Sequence, residues 1–226
     1  MPNQAIIFDL DGTLVDSAKG VLLSLHSTFD KACLRPALPF STKLIGPPLH
    51  ETLRLLSDNA SAAVLDQLRL DFVLHYDAVG YKQTVPFCGV EHMLKSLLSA
   101  NISLYIATNK RAKPTSKIID MLGWSAVFEL VVSPDSFTPS VPSKGVMLKS
   151  LLAEASLDAK NCLYIGDRID DYHASLESGI PFVLAEWGFE GDGPALAPDT
   201  IRLKLPDAGQ LIASFTDRDS FSCLGS

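Results

Sequence analysis

Several things are scarce in this chain, and each scarcity narrows it. Cysteine appears four times, at Cys33, Cys88, Cys162 and Cys223, with no CxxC pair and no framework spacing. A disulfide-stapled scaffold is therefore set aside, and small buried hydrophobes in a reducing cytoplasm are expected. Positive charge is short: 19 Lys and Arg face 26 Asp and Glu, a formal charge of −7. That argues against a nucleic-acid binder, which normally shows a basic face. A phosphorylated substrate stays open, because local charges decide its binding. The opening residues, MPNQAIIFDLDG, lack a basic region, and their apolar run breaks too soon for a signal peptide. No stretch approaches the roughly 20 apolar residues that a membrane-spanning helix needs. His26, His75, His92 and His173 show no metal-ligand spacing, and there are no internal repeats or low-complexity tracts. A cytoplasmic protein with no membrane and no nucleic-acid partner is expected.

What remains is an ordinary globular composition, 47% hydrophobic and 20% charged over 226 residues. That is enough to bury one large core, or a core with an insertion. Short apolar runs read as buried strands: Ala5–Phe8, Ile102–Thr108, Leu130–Ser133, Cys162–Asp167 and Pro181–Trp187. Helical patterns lie between them, at Val90–Ser99, Thr115–Leu122, Lys144–Ala155 and Asp171–Ser178, and a last one covers Ala208–Phe215. Continuous short strands alternating with helices predict a doubly wound, Rossmann-like parallel sheet covered on both faces. Ligands collect at the carboxyl ends of such strands. Asp9, Thr108 and Asp167 all fall there.

The alternation breaks between about Ser17 and Gln83. Val21, Leu22, Leu25 and Phe29 mark one helix face; Val64, Leu65, Leu68, Phe72 and Tyr76 mark another. No strand is needed in this interval, and RPALPF and IGPPL supply turns. The expected division is an α/β core of residues 1–16 and 84–226 with an all-helical cap of residues 17–83 inserted after the first strand. Beside a site, such an insertion would act as a lid. The final TDRDSFSCLGS is expected to fray.

One stretch is awkward for folding alone. AIIFDLDGTLVDS ends a buried run at Asp9 and places a second carboxylate, Asp11, two residues on. Like charges beside a core cost free energy, so the stretch is either a solvated turn or a site. FDLDGTLVDS resembles the nucleophile motif of the haloacid dehalogenase-like hydrolase superfamily, and the chain as a whole resembles its phosphoglycolate phosphatase-like branch. ATNK (Ala107–Lys110), an isolated Lys144 opening a helix and GDRIDD (Gly166–Asp171) follow in the expected order. IGPPLHETL and FCGVEHMLKSLL also resemble that branch, so the resemblance runs from about Ala5 to Gly188.

The resemblance implies a phosphatase acting on a small phosphorylated metabolite, with Asp9 as the nucleophile that forms an aspartyl-phosphate. Asp11 would protonate the leaving group and then activate water. Phosphoryl transfer also needs positive charge around the phosphate. Mg²⁺ suits hard oxygen ligands, and the implied ligands are Asp9, the backbone carbonyl of Asp11, and Asp167, with Asp171 holding the site or its waters. The Thr108 hydroxyl and the backbone N–H of Asn109 can both face a phosphoryl oxygen. Lys144 adds a point charge, with Lys149 as the fallback. Gly12 lets the backbone turn closely around phosphate. The cap offers Arg54, with Lys19 and His50 behind it, as substrate contacts. Trp187-Gly188 reads as simple packing.

Rival functions stay open at this point. A dehalogenase has no need of Asp11. A phosphosugar mutase or a pyrophosphatase of the same superfamily, or a catalytically silent binding protein with this fold, would keep much of the same pattern. The sequence leaves monomer and homodimer equally open.

Overall fold

The computed structural model describes residues 4–138, 143–190, 196–198 and 200–222. In chain order it runs β1 (Ala5–Phe8), β2 (Val15–Asp16), α1 (Ala18–Lys31), α2 (Leu49–Leu56), α3 (Ala62–Ala78), β3 (Val85–Pro86), α4 (Val90–Ser99) and β4 (Ser103–Ala107). It continues through α5 (Ala112–Met121), β5 (Leu130–Val132), α6 (Lys144–Glu154), β6 (Cys162–Gly166), α7 (Ile169–Ser178), β7 (Phe182–Ala185), β8 (Ile201–Leu203) and α8 (Ala208–Ser222).

Six strands pair in parallel in the order β5-β4-β1-β6-β7-β8. From β1 the chain moves outward to β4 and β5, then returns to β6 on the other side, so the strand order reverses beside β1. This is the doubly wound, Rossmann-like α/β sheet that the pattern predicts. Its central strands are apolar on consecutive residues because helices cover both faces. Ile6, Phe8, Leu104, Ile106, Leu163 and Ile165 point into one buried cluster with α4 and α8. Ala5, Ile7, Tyr105, Ala107 and Tyr164 point into the other, against α6.

Residues 17–83 contain helices and no described strand, as expected. They have an apolar cluster of their own, in which Leu25 and Phe29 of α1 meet Leu53 and Leu56 of α2 and Leu68, Phe72 and Tyr76 of α3. The two-residue strands β2 and β3 pair antiparallel where the chain leaves and re-enters the sheet layer. The sequence does not announce them, because two residues carry no periodicity.

Three further differences have local causes. Strand β8 adds an edge beyond the last expected strand, with Val183 opposite Ile201. Helix α5 starts at Ala112 rather than Thr115; Pro114 sits in its first turn, where no intrahelical N–H is required. Helix α8 continues to Ser222, through much of the tail expected to fray. Residues 223–226, including Cys223, and residues 139–142 of the TPSVPS stretch lie outside the described residues. Among the described residues, no helix is long and apolar enough to cross a membrane.

Candidate active site

The register of the sheet builds the site. Phe8 pairs with Ile106 on β4 and with Ile165 on β6. Asp9 therefore emerges one residue past that rung, with Thr108 and Asp167 two residues past it on the flanking strands. The Asp9 amide donates to the Ile165 carbonyl at 2.8 Å, which holds the chain in register as the strand ends. The backbone then folds into a tight turn, with the amides of Leu14 and Val15 donating to the Leu10 carbonyl. Gly12 makes that turn possible. Its φ is +90°, and a Cβ there would lie 2.3 Å from Asp167 Oδ2.

Asp9, Asp167 and Asp171 bring carboxylate oxygens within 4.8 Å of one another, and all three side chains are buried. The Lys144 ammonium, at the first residue of α6, sits among them, 2.7 Å from Asp9 Oδ1 and 2.6 Å from Asp171 Oδ1. Lys149 faces outward toward Glu177 instead. Asp171 is an anchor: Oδ1 also accepts the Tyr164 hydroxyl at 2.7 Å, and Oδ2 accepts the Arg168 amide at 3.1 Å. Its neighbour Asp170 is exposed. Asp167 accepts the Phe189 amide on Oδ2, while its buried Oδ1 has no partner among the described residues.

Burial pushes the Asp9 carboxyl up to about 7; Lys144 opposes that rise, and Asp171 adds to it. A carboxylate in contact with an ammonium usually moves the other way. Here burial wins, because Lys144 is shared between Asp9 and Asp171. Asp167 is raised well above the carboxylate range, by burial first and then by Asp171 and Asp9. Burial draws the Lys144 ammonium down, but Asp171 and Asp9 more than reverse it, so it stays charged. Ionised together, the three acids would outnumber their one cation, and one carboxylate oxygen is orphaned among the described residues. That donor set, all oxygen and rigidly held, suits a hard divalent cation. Asp9 and Asp167 could bind it directly, with Asp171 fixing their surroundings.

Thr108 and Asn109 follow β4. The Thr108 hydroxyl oxygen accepts the Lys110 amide at 3.2 Å, which leaves its proton free to donate. The Asn109 side chain crosses to the helical insertion and donates to the Gly46 carbonyl at 3.2 Å. Arg168 does the same with the Ile45 carbonyl at 3.1 Å. Asp11 has two partners that the sequence did not suggest. Its Oδ1 accepts the Ser17 hydroxyl at 2.5 Å, and its Oδ2 lies 2.8 Å from the buried Lys110 ammonium. Lys110 in turn lies over the Tyr76 ring of α3, 4.7 Å from its centroid. Lysine after a Thr-Asn pair has no sequence signal of its own; only the fold shows it entering the site.

Two more contributors were hidden. Trp187 donates its indole N–H to the Thr13 carbonyl at 2.9 Å, so Trp187-Gly188 does more than pack. A Cβ at Gly188 would come within 2.2 Å of Asp167 Cβ and 2.5 Å of the Gly12 carbonyl oxygen. Conversely, Arg54 is exposed on α2 and lines neither cleft around the site, so the structure does not bring it to the acids. Lys19 is exposed too, and His50 sits at the rim of the outer cleft.

A family profile for haloacid dehalogenase-like hydrolases matches residues 6–185 of the chain. The chain belongs to the haloacid dehalogenase-like hydrolase family. Among relatives of this chain, the phosphoglycolate phosphatase of Aquifex aeolicus is 33% identical over 190 residues, covering 82% of this chain and 86% of that protein. The tyrosine-protein kinase PtkA of Mycobacterium tuberculosis is 32% identical over 187 residues, covering 82% of this chain. This chain spans 63% of that kinase's length, a little under two thirds. A haloacid dehalogenase-like hydrolase from Streptococcus pneumoniae has the same fold, with a TM-score of 0.79 at 26% identity over 94% of this chain and 98% of that one.

Proposed function

We propose that this hydrolase is a Mg²⁺-dependent phosphatase that cleaves a small phosphorylated metabolite through an aspartyl-phosphate at Asp9. One observation carries the reading: three clustered buried carboxylates, two of them bridged by a buried lysine, at the carboxyl end of the central strand of a doubly wound sheet. Such a cluster is unfavourable for folding and is suited to a cation with a phosphate dianion. The names of the phosphatase relatives point the same way.

In this reading an Asp9 oxygen attacks phosphorus, the bond to the ester oxygen breaks, and its electron pair leaves with that oxygen. Asp11 donates a proton to the departing oxygen. Water then attacks the phosphoryl group and gives its proton to Asp11, and the bond to Asp9 breaks, restoring the carboxylate. The Thr108 hydroxyl, the Asn109 N–H and Lys144 hold the phosphoryl oxygens, and Gly12 gives the phosphate close access to backbone. Bound Mg²⁺, held by Asp9, the Asp11 carbonyl, Asp167 and Asp171, would neutralise charge on the phosphate. Residues 17–83 serve as the cap over a core of residues 1–16 and 84–226. Among the described cysteines only Cys162 is buried as expected; Cys33 and Cys88 are exposed free thiols, which fit a reducing, cytoplasmic setting.

The test is phosphate release from p-nitrophenyl phosphate, with Mg²⁺ and with a chelator. Wild type should release phosphate only with Mg²⁺, and Asp9→Asn should abolish it. Release by the mutant would reject Asp9 as the nucleophile, and none by wild type would favour a silent binding protein. Net phosphate release, rather than isomerisation of a sugar phosphate, separates a hydrolase from a mutase.

A further inference from the structure

The cleft that opens from Asp9 and Asp11 between sheet and insertion has a wall unlike its floor. The floor carries the acids, Thr108 and Lys110; the wall is built by Leu25, Leu44, Ile45, Leu49, Phe72 and Tyr76. The polar side chains on its margin are already engaged. Thr52 donates to the Leu44 carbonyl and Asn109 to the Gly46 carbonyl. Of the two cations, Lys110 is paired with Asp11, and Arg111 is paired with Asp77 of α3. The Tyr76 hydroxyl is buried beside Lys110 and Thr84; burial keeps it neutral, so it cannot balance a charge. Arg54, the cation expected to meet a charged substrate, is outside the cleft.

From this we infer that the cleft receives the leaving group, and that the preferred substrates are phosphate monoesters of neutral alcohols with an apolar chain or ring. Phosphoesters of hydroxy acids such as glycolate are disfavoured. The inference rests on the phosphatase reading and narrows it. A carboxylate placed against that wall would lose its water and gain no unpaired cation, which is costly. An alkyl chain there sheds apolar surface instead. The cleft measures about 100 Å³. A water takes roughly 10–15 Å³ of such space, so about seven to ten non-hydrogen atoms fit, the five of the phosphate group included.

The experiment compares kcat/KM, with Mg²⁺, for ethyl, butyl and hexyl phosphate, benzyl phosphate and phosphoglycolate. From ethyl to butyl phosphate the value should climb about fourfold per methylene, roughly fifteenfold in all, and level off once the cleft is full. Phosphoglycolate should fall below ethyl phosphate. Leu49→Lys, which puts a cation on the half-buried edge of the wall, should flatten the series and raise phosphoglycolate relative to hexyl phosphate at least about tenfold. Leu49→Gln, read alongside it, should flatten the series without that gain, which separates added charge from lost packing. A flat alkyl series, or phosphoglycolate ahead of hexyl phosphate in wild type, overturns the inference and leaves the phosphatase reading standing. No hydrolysis of any ester, p-nitrophenyl phosphate included, removes the phosphatase reading itself.

Discussion

Replacing the proposed nucleophile should make the metal-free protein more stable. Asp9 is fully buried, and its carboxyl is raised from 3.8 to about 7, by burial first. An acid with a raised folded-state pKa binds more protons folded than unfolded between those two values. Stability is therefore lost as pH rises from about 4 to 7, and above that range the ionised group costs up to about 4 kcal/mol. Asp9→Asn removes that cost but also removes the charged partner of a 2.7 Å contact with Lys144. The Lys144 contact is already included in the value of about 7, and Lys144 keeps Asp171. The net gain is therefore up to about 4 kcal/mol near pH 8 in chelator, shrinking toward zero as pH falls to about 4. Urea unfolding followed by circular dichroism reads this directly. Wild type in chelator should lose stability from about pH 5 to about pH 8, and saturating Mg²⁺ should restore it by mass action. The reasoning fails if Asp9→Asn is no more stable than wild type near pH 8 without metal, or if wild-type stability rises over that interval.

Three other substitutions probe neighbouring features. Lys110→Met leaves Asp11 without its ammonium partner; kcat should fall about tenfold to a hundredfold while KM for p-nitrophenyl phosphate moves less, and an unchanged kcat removes Lys110 from the site. Gly188→Ala forces a Cβ to within 2.2 Å of Asp167. The Mg²⁺ concentration for half-maximal activity should rise about tenfold, and thermal unfolding should show a loss of about 1–3 kcal/mol. Normal Mg²⁺ dependence in that variant would mean the glycine contact is slack. In the insertion, the Lys31 hydrogen bond, helped by Gln67, holds the Asp71 carboxyl below its usual value of 3.8. Because Lys31 is 64% exposed, water screens the pair, and Asp71→Asn should cost only about 1 kcal/mol near pH 7. That cost should vanish as pH falls through the lowered value; the same cost at both ends would place the contribution in packing.

The parts of this structure legible in the sequence are those fixed by long-range repetition of one physical demand. A strand buried on both faces must be apolar at every position, so Ala5–Phe8 announces itself, and the first polar residue after it marks the sheet's edge. Helix α4 is read to the residue because its apolar face and Gly89 leave little choice. Arg54 shows where the signal stops. Leu49 and Thr52, one turn apart on α2, both line the cleft. Arg54 is two residues further on, roughly 200° around the helix, and so faces solvent. Motif likeness places a residue on a helix, whereas only the helix's orientation says which residue sees the site. Tyr164 was hidden for the opposite reason. It reads as one more strand hydrophobe, yet its hydroxyl ends on Asp171.

The pairing of Asp11 depends on the inserted helices as much as on the sheet. Ser17, which donates to its Oδ1, is the residue at which the chain leaves for α1. Lys110, which meets its Oδ2, comes from β4's end but lies over Tyr76 of α3. Next to Tyr76, Asp77 accepts from Arg111, the residue that opens α5. Two consecutive residues of one inserted helix thus meet two consecutive cations of the sheet layer, and the first of those cations holds the proposed proton carrier. Asp9 needs only the sheet and Lys144 to be in place. The two partners of Asp11 are the residue that starts the insertion and a lysine packed on it, so the proposed proton carrier, and not the proposed nucleophile, is paired through the inserted helices.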